Sequence, residues 1–203
     1  MSKRLQWQIT PGAVVLLAVF IYVASPLLAV AILLAAVCHE MGHYLTLCAL
    51  GAGVRAVRIS ALGAEMEVEG RSRLSYGGEL LSTLAGPLTN LVLALLLART
   101  GQWAEIFYPL AGAQLVLGCF NLLPIRPLDG SSILWIIVAC LKEPFTADRV
   151  TDAVSAGVAV LLAAGGAWLA LRQGGSPFLL VGAVGLLAGV LRKKELVKRK
   201  KNR

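Results

Sequence analysis

The sequence predicts an all-α polytopic membrane protein with about six transmembrane helices and a small β-hairpin or sheet at the cytoplasmic membrane face. Of its 203 residues, 58% are hydrophobic and 15% are charged, against about 25% charged in a typical soluble domain. Apolar runs of near membrane-spanning length recur along the chain, separated by short polar stretches. One of these stretches alternates with period two, as a half-buried strand does.

Helical apolar runs make up most of the chain. Six of them predict spanning helices, at about residues 11–24, 27–50, 78–98, 103–123, 150–171 and 177–191. Ser25-Pro26 separates the first two runs, and Gly51-Ala52-Gly53 ends the second. The run at 131–141 is too short to span, so we expect it to pack alongside the others. Residues 142–149 are polar and are predicted to lie before the fifth span.

The stretch from Val54 to Glu69 has a different pattern. Glu65-Met66-Glu67-Val68-Glu69 alternates, and Gly63 lies between two candidate strands. We therefore expect a small β-hairpin or sheet at the membrane surface, with a solvated loop as the alternative. A hairpin would offer an edge strand on which an extended peptide could be bound by backbone pairing.

The positive charges indicate orientation in a membrane and argue against nucleic-acid binding. Eight of the twelve residues 192–203 are Lys or Arg, with no aromatic residue among them to stack on bases. With a cytoplasmic N-terminus, 17 of the 19 Lys and Arg residues lie on the inside, and only Arg99 and Arg172 lie outside. We predict a multi-pass protein of the cell membrane with both termini cytoplasmic, comprising one transmembrane domain (1–191) and a basic tail (192–203).

The run at 27–50 carries an H-E-x-x-H pattern formed by the only two histidines of the chain. On a helix, His39 and His43 are one turn apart, so both imidazoles can bind one Zn²⁺. Glu40 lies beside them, where it can take a proton from a zinc-bound water. Ionisable groups are costly within an apolar run, which favours a functional site over a chance match.

Catalytic zinc usually has three protein ligands, so a third is required besides the two histidines. Asp129 is the outstanding acid at matching depth, in a stretch that the prolines at 124 and 127 and Gly130 keep from being regular helix. Irregular backbone at membrane depth is tolerated where it lines a cavity or is packed in protein. The predicted chemistry is peptide-bond hydrolysis with one zinc ion per chain.

Two amides and two prolines are further candidates for the site. Asn121 or Asn90 could hold the developing oxyanion, although interhelical hydrogen bonding explains Asn90 equally well. Pro124 and Pro127 are candidates for contact with substrate.

Three motifs make the sequence resemble the site-2 proteases, a family of intramembrane zinc metallopeptidases. They are His39 to His43, Ala85-Gly86-Pro87-Leu88-Thr89-Asn90, and Asn121 to Pro124 with Pro127 to Gly130. The resemblance implies that His39, His43 and Asp129 bind zinc, that Glu40 is catalytic, and that Asn121 lies near the substrate. The short form with one helix before the H-E-x-x-H helix looks most like the branch of the stage IV sporulation protein FB. That branch implies a membrane-associated sigma-factor precursor as substrate, with membrane inhibitors or regulators as further partners.

The chain departs from this family in three respects. The 85 residues between His43 and Asp129 leave no room for a PDZ insertion, the tail cannot hold a CBS domain, and Ser131 stands where a second glycine is common. Two other classes are open. A prenyl-peptide-processing zinc protease would use a distant Glu as third ligand. The other class is a non-catalytic membrane protein. A metal carrier should show several His or acidic residues along a path through the spans, and an inactive chaperone-like relative should lack Glu40 or a metal ligand.

Overall fold

The computed structural model describes residues 6–60, 63–70 and 74–173. The predicted span at 177–191 and the basic tail at 192–203 lie outside the described residues. In chain order the elements are β1 (Gln6–Ile9), α1 (Pro11–Val23), α2 (Pro26–Ala49), β2 (Gly53–Ser60), β3 (Gly63–Glu69), α3 (Tyr76–Thr100), α4 (Phe107–Asn121), α5 (Asp129–Leu141) and α6 (Pro144–Gln173). Contacts divide the chain into two compact units, Met1–Asn121 and Leu122–Arg203.

Local capping sets the boundary between the first two helices. Thr10 and Ser25 are the N-caps of α1 and α2, and each hydroxyl accepts a backbone N–H three residues on, at 3.4 Å. A proline follows each cap at the first helical position, where its missing N–H costs nothing. The predicted break at Ser25-Pro26 is therefore a helix start, as the sequence indicated.

The first unit contains a three-stranded sheet in the order β1-β2-β3. Strands β2 and β3 form the predicted antiparallel hairpin, with Arg58 paired with Glu65 and Gly53 with Glu69. Strand β1 was not predicted, and it joins β2 in parallel with Gln6 opposite Ala56. The hairpin prediction is thus confirmed, and the sheet has one strand more.

Helices α2, α3 and α4 pack together through small residues. A Cβ at Gly42 on α2 would lie 2.7 Å from the carbonyl oxygen of Ala85 on α3, and one at Gly118 on α4 would lie 3.2 Å from the carbonyl oxygen of Pro87. Glycine at these positions lets the backbones approach closely, which is how helices associate in lipid. The tight packing brings polar side chains of three helices together.

In the second unit, the segment from Leu122 to Leu128 is attached to one face of α6. Ser155 donates from Oγ to the carbonyl oxygen of Pro124 at 3.0 Å and accepts from the backbone N–H of Arg126 at 3.3 Å. This face of α6 carries small, almost fully buried residues at intervals of four: Ala147, Thr151, Ser155 and Ala159. Their small size allows the irregular segment to lie against the helix.

Arg126 adds charged contacts to the same attachment. Its Nη2 donates to Oδ1 of Asp148 at 3.1 Å, and its Nε lies 2.9 Å from Oδ1 of Asp152. The indole Nε1 of Trp135 on α5 donates to the same Asp148 oxygen at 3.1 Å. Residues 144–149 were predicted as a polar segment outside the helix, but they form its first turns. Their charged side chains are exposed or paired, so helix formation buries none of them alone.

We predict that Arg126→Gln lowers the melting temperature in detergent by about 2–4 °C, because roughly 1 kcal/mol of ion pairing shifts a chain of this size by that amount. The free energy of the ion pairs is small because Asp148 and Asp152 are exposed to solvent, with side chains that are 57% and 50% accessible. Arg149→Gln is the matched control, because it removes the same charge. The Arg149 guanidinium lies over the ring of Phe145. Equal melting temperatures for the two variants would contradict the prediction.

Among the described residues, three helices are long and apolar enough to cross a membrane: Pro26–Ala49, Tyr76–Thr100 and Pro144–Leu169. The expectation of six spans is only partly met there. The runs at 11–24 and 103–123 form helices of 13 and 15 residues, since Ser25-Pro26 ends the first and residues 101–106 form turns before the second.

Candidate metal centre

The two histidines of the H-E-x-x-H motif lie on α2, as predicted, with their rings facing each other edge to face. The ring centroids are 4.8 Å apart at an interplanar angle of 85°, and the two Nε2 atoms are 3.2 Å apart. His39 is buried, with 5% of its surface exposed. The i, i+4 spacing thus brings the same ring nitrogen of both side chains to one point.

The orientation of His39 is set by Asn90 on α3. His39 Nδ1 lies 2.6 Å from Asn90 Oδ1, while Asn90 Nδ2 donates to the carbonyl oxygen of Ala35 at 3.0 Å and to Gln114 Oε1 at 2.5 Å. The Ala35 carbonyl can only accept, so the amide presents its oxygen to His39. That oxygen requires a proton on Nδ1 and therefore a lone pair on Nε2.

His43 is oriented in the same sense by a backbone group. Its Nδ1 lies 2.7 Å from the carbonyl oxygen of Ser82 on α3, which can only accept. Nδ1 therefore carries the proton and Nε2 the lone pair. Gly86 provides the space for the ring, because a Cβ there would fall within 3.0 Å of three imidazole atoms.

This donor pair fits a zinc ion. Two lone pairs 3.2 Å apart repel each other unless a cation or a shared proton lies between them. A tetrahedral zinc with Zn–N bonds of about 2.0–2.1 Å holds two nitrogens roughly 3.3–3.4 Å apart. Hydrogen bonding of the opposite ring nitrogen to an amide or carbonyl oxygen is also the arrangement found around histidine ligands of metals.

The predicted third ligand, Asp129, is the first residue of α5 and is half-buried. The segment from Leu122 to Leu128 folds back so that its first carbonyl groups lie against the start of α5. A Cβ at Gly130 would overlap the carbonyl groups of Leu122 and Leu123. Only glycine allows this approach. The histidines belong to the first unit and Asp129 to the second, and its role as the third ligand stays a prediction.

The other predicted site residues have varied surroundings. Glu40 follows His39 on α2 and is half-buried. Asn121 ends α4, and its Nδ2 donates to the carbonyl oxygen of Leu117 at 3.0 Å. Pro124 accepts from Ser155 through its carbonyl oxygen, and Pro127 is exposed. Roles in substrate or oxyanion binding stay predictions for Asn121 and both prolines.

Asn90 requires a correction. It was a candidate for holding an oxyanion, but its amide nitrogen donates to Ala35 and Gln114, and the side chain is fully buried. An NH₂ group has two hydrogens, and both are used. The alternative role in hydrogen bonding between helices is the one observed, with His39 as one of the partners.

Two contacts of the site were not anticipated from the sequence. Ser82 acts through its backbone oxygen, so no side-chain signal could have indicated it. Gln114 did give a signal, because it is an amide inside the apolar run that forms α4, and such a group needs a partner at membrane depth. What the sequence could not indicate was which helix supplies that partner.

The fold and this site define a class of helical membrane proteins built around an H-E-x-x-H helix. The family model described as Peptidase family M50 matches residues 97–164. A solved structure, the site-2 protease from Methanocaldococcus jannaschii, superposes with a TM-score of 0.69 over 95% of this chain and 91% of that one, at 20% identity. The chain therefore has the site-2 protease fold.

Two relatives agree with this class. The chain is 29% identical over 110 residues to a zinc metalloprotease of Methanocaldococcus jannaschii, covering 51% of this chain and 32% of that protein. It is 33% identical over 109 residues to a protein of Synechocystis assigned as a zinc metalloprotease, covering 50% and 28%. The chain thus spans about a third of the length of the curated relatives it matches. The chain is thus similar to zinc metalloproteases over about half of its length and to the M50 family model over residues 97–164.

Proposed function

We propose that this protein is an intramembrane zinc endopeptidase that hydrolyses a peptide bond of a membrane-associated protein. The observation that carries the proposal is the histidine pair, whose two Nε2 lone pairs converge at 3.2 Å while each Nδ1 is held by an oxygen acceptor. His39, His43 and Asp129 would hold the zinc ion, giving the three protein ligands usual for a catalytic site. Matches to zinc metalloproteases support this chemistry.

When bound, zinc would supply Lewis acidity to the attacking water and to the carbonyl group of the substrate. Glu40 accepts the proton that the water loses on attack and delivers it to the leaving amine, so that one water is added across one amide bond. The position of Glu40 next to His39 fits this role, because both side chains start from the same turn of α2. A half-buried carboxylate can be reached by substrate without being fully exposed to solvent.

The proposed substrate is a membrane-tethered protein cut near the cytoplasmic face. The asymmetric distribution of Lys and Arg supports this orientation and a multi-pass topology with both termini cytoplasmic. A sigma-factor precursor of sporulation is a narrower proposal that rests on the sequence resemblance alone. Co-expression of candidate precursors with the wild-type chain tests it, and a precursor left intact beside a cleaved general reporter would exclude it.

Zinc dependence is tested on the purified protein with a membrane-tethered reporter. We expect one zinc per chain by elemental analysis, and loss of cleavage with ortho-phenanthroline that added Zn²⁺ reverses. The meta isomer, which cannot chelate, is the control and should leave cleavage intact. Stoichiometric zinc without cleavage of any membrane protein would instead favour the non-catalytic metal-binding alternative.

The glycine beneath the His43 ring gives a separate prediction. Gly86→Ala should weaken zinc binding about 10–100-fold, the range for displacing a group that orients a ligand, because the added methyl occupies the position of the imidazole. Alanine would otherwise favour the helix by about 1 kcal/mol. Gly78→Ala on the same helix meets only ordinary contacts, the nearest at 3.6 Å, and should bind zinc as wild type does. Equal zinc affinity in both variants would contradict the prediction.

A further inference from the structure

The buried polar side chains of α2, α3 and α4 form a continuous hydrogen-bonded chain. It runs from His39 Nδ1 to Asn90 Oδ1, and from Asn90 Nδ2 to Gln114 Oε1. The exposed fractions of the three residues are 5%, 0% and 4%. In each hydrogen bond the donor lies on the side of the histidine pair and the acceptor on the far side, so the hydrogen bonds polarise one another in the same direction.

Gln114 is on α4 and is one of two acceptors for the Asn90 amide, the other being the carbonyl oxygen of Ala35. The Ala35 carbonyl can only accept and so sets which end of the amide faces His39, and Gln114 Oε1 adds a second hydrogen bond that stabilises the same orientation. With the amide reversed, its NH₂ group would face Nδ1, and His39 would have to move its proton to Nε2. That tautomer has no lone pair on Nε2 for a metal.

We propose that Gln114 is a positioning residue for the candidate zinc ligand His39, acting through the Asn90 amide. The proposal rests on the proposed function, since it assigns Gln114 a role in zinc binding at the same site. Gln114 touches neither zinc nor substrate. It keeps the amide oxygen directed at Nδ1 and thereby keeps Nε2 available, in addition to linking two helices.

A purely structural role makes a different prediction. If Gln114 only joins α3 to α4, removing its oxygen lowers the melting temperature and leaves the affinity of the folded protein for zinc unchanged. If it sets the His39 tautomer, zinc affinity falls in protein that is still folded. The two roles are separated by measuring zinc affinity and melting temperature on the same preparations.

The experiment compares zinc affinity by chelator competition in the full chain for wild type, Gln114→Met, Gln114→Leu and Gln114→Glu. We expect Met and Leu, which lack the acceptor, to weaken zinc binding about tenfold, and Glu, which retains an acceptor oxygen, to stay within about threefold of wild type. Either apolar variant suffices if the other does not fold. Val116→Met, at a position of α4 that is 69% exposed, is the control and should bind as wild type does.

A double-mutant cycle completes the test. Asn90→Leu should weaken zinc binding about 10–100-fold, and Gln114→Met added to it should have no further effect, because the chain is already interrupted. Wild-type affinity in folded Gln114→Met, failure of Gln114→Glu to restore binding, or losses that multiply in the double variant would each overturn the proposal. Wild-type protein that binds no zinc would instead remove the proposed function itself, and this inference with it.

Discussion

Glu40→Gln is expected to reduce cleavage of a membrane-tethered reporter by about 10²–10⁴-fold, the range for loss of a general acid–base group, while the protein keeps one zinc per chain. The physical reason is that the amide has nearly the shape of the carboxylate but cannot take a proton from the attacking water. Zinc should stay bound, because the two histidines and their acceptors on α3 are untouched. The measurement pairs initial cleavage rates with elemental analysis of the same sample.

Glu105→Gln is the matched control. Glu105 is exposed in the turn between α3 and α4. This turn follows the C-terminal end of α3, whereas His43 contacts Ser82 near the N-terminal end of that helix. Its loss should leave both cleavage and zinc content unchanged. Cleavage by Glu40→Gln at the wild-type rate would remove Glu40 from its proposed role. Loss of zinc in that variant would show that the carboxylate contributes to metal binding.

The features that could be predicted are those determined by nearby residues. The first two helices begin at caps followed by proline, and the hairpin is indicated by alternation around Gly63. Strand β1 escaped prediction because its four residues pair with Gln6 opposite Ala56, a partner far along the chain. The start of α6 was misplaced for a similar reason, since Asp148 is paired with Arg126 from another segment.

The same distinction applies within the site. The i, i+4 spacing was enough to predict that His39 and His43 share a face. The proton positions on their rings depend on Asn90 and on the Ser82 carbonyl, which packing of α3 against α2 supplies. The sequence indicates that Asn90 is a buried amide in need of a partner, but its partners come from two other helices, α2 and α4. A motif therefore predicts the ligands better than it predicts the groups that orient them.

Asp129→Ala is expected to lower zinc affinity by more than about 100-fold, exceeding the 10–100-fold cost of losing a group that only orients a ligand. Two histidines alone leave zinc one protein ligand short of the usual catalytic set. The backbone around Asp129 should tolerate the change, because alanine is a good helix former and a carboxylate in the first turn stabilises a helix by only about 0.3–1 kcal/mol. Elemental analysis and chelator competition measure the loss.

Asp129→Asn separates charge from shape at this position. The amide has nearly the size of the carboxylate but is neutral, so we expect zinc affinity between those of wild type and Asp129→Ala. Glu143→Ala removes an exposed carboxylate just before α6 and should leave zinc content unchanged, as the control for lost negative charge in this unit. Full zinc content in Asp129→Ala would mean that the third ligand is another residue. His39 and His43 would remain the proposed zinc ligands, because the geometry of the pair is set by α2 and α3 alone.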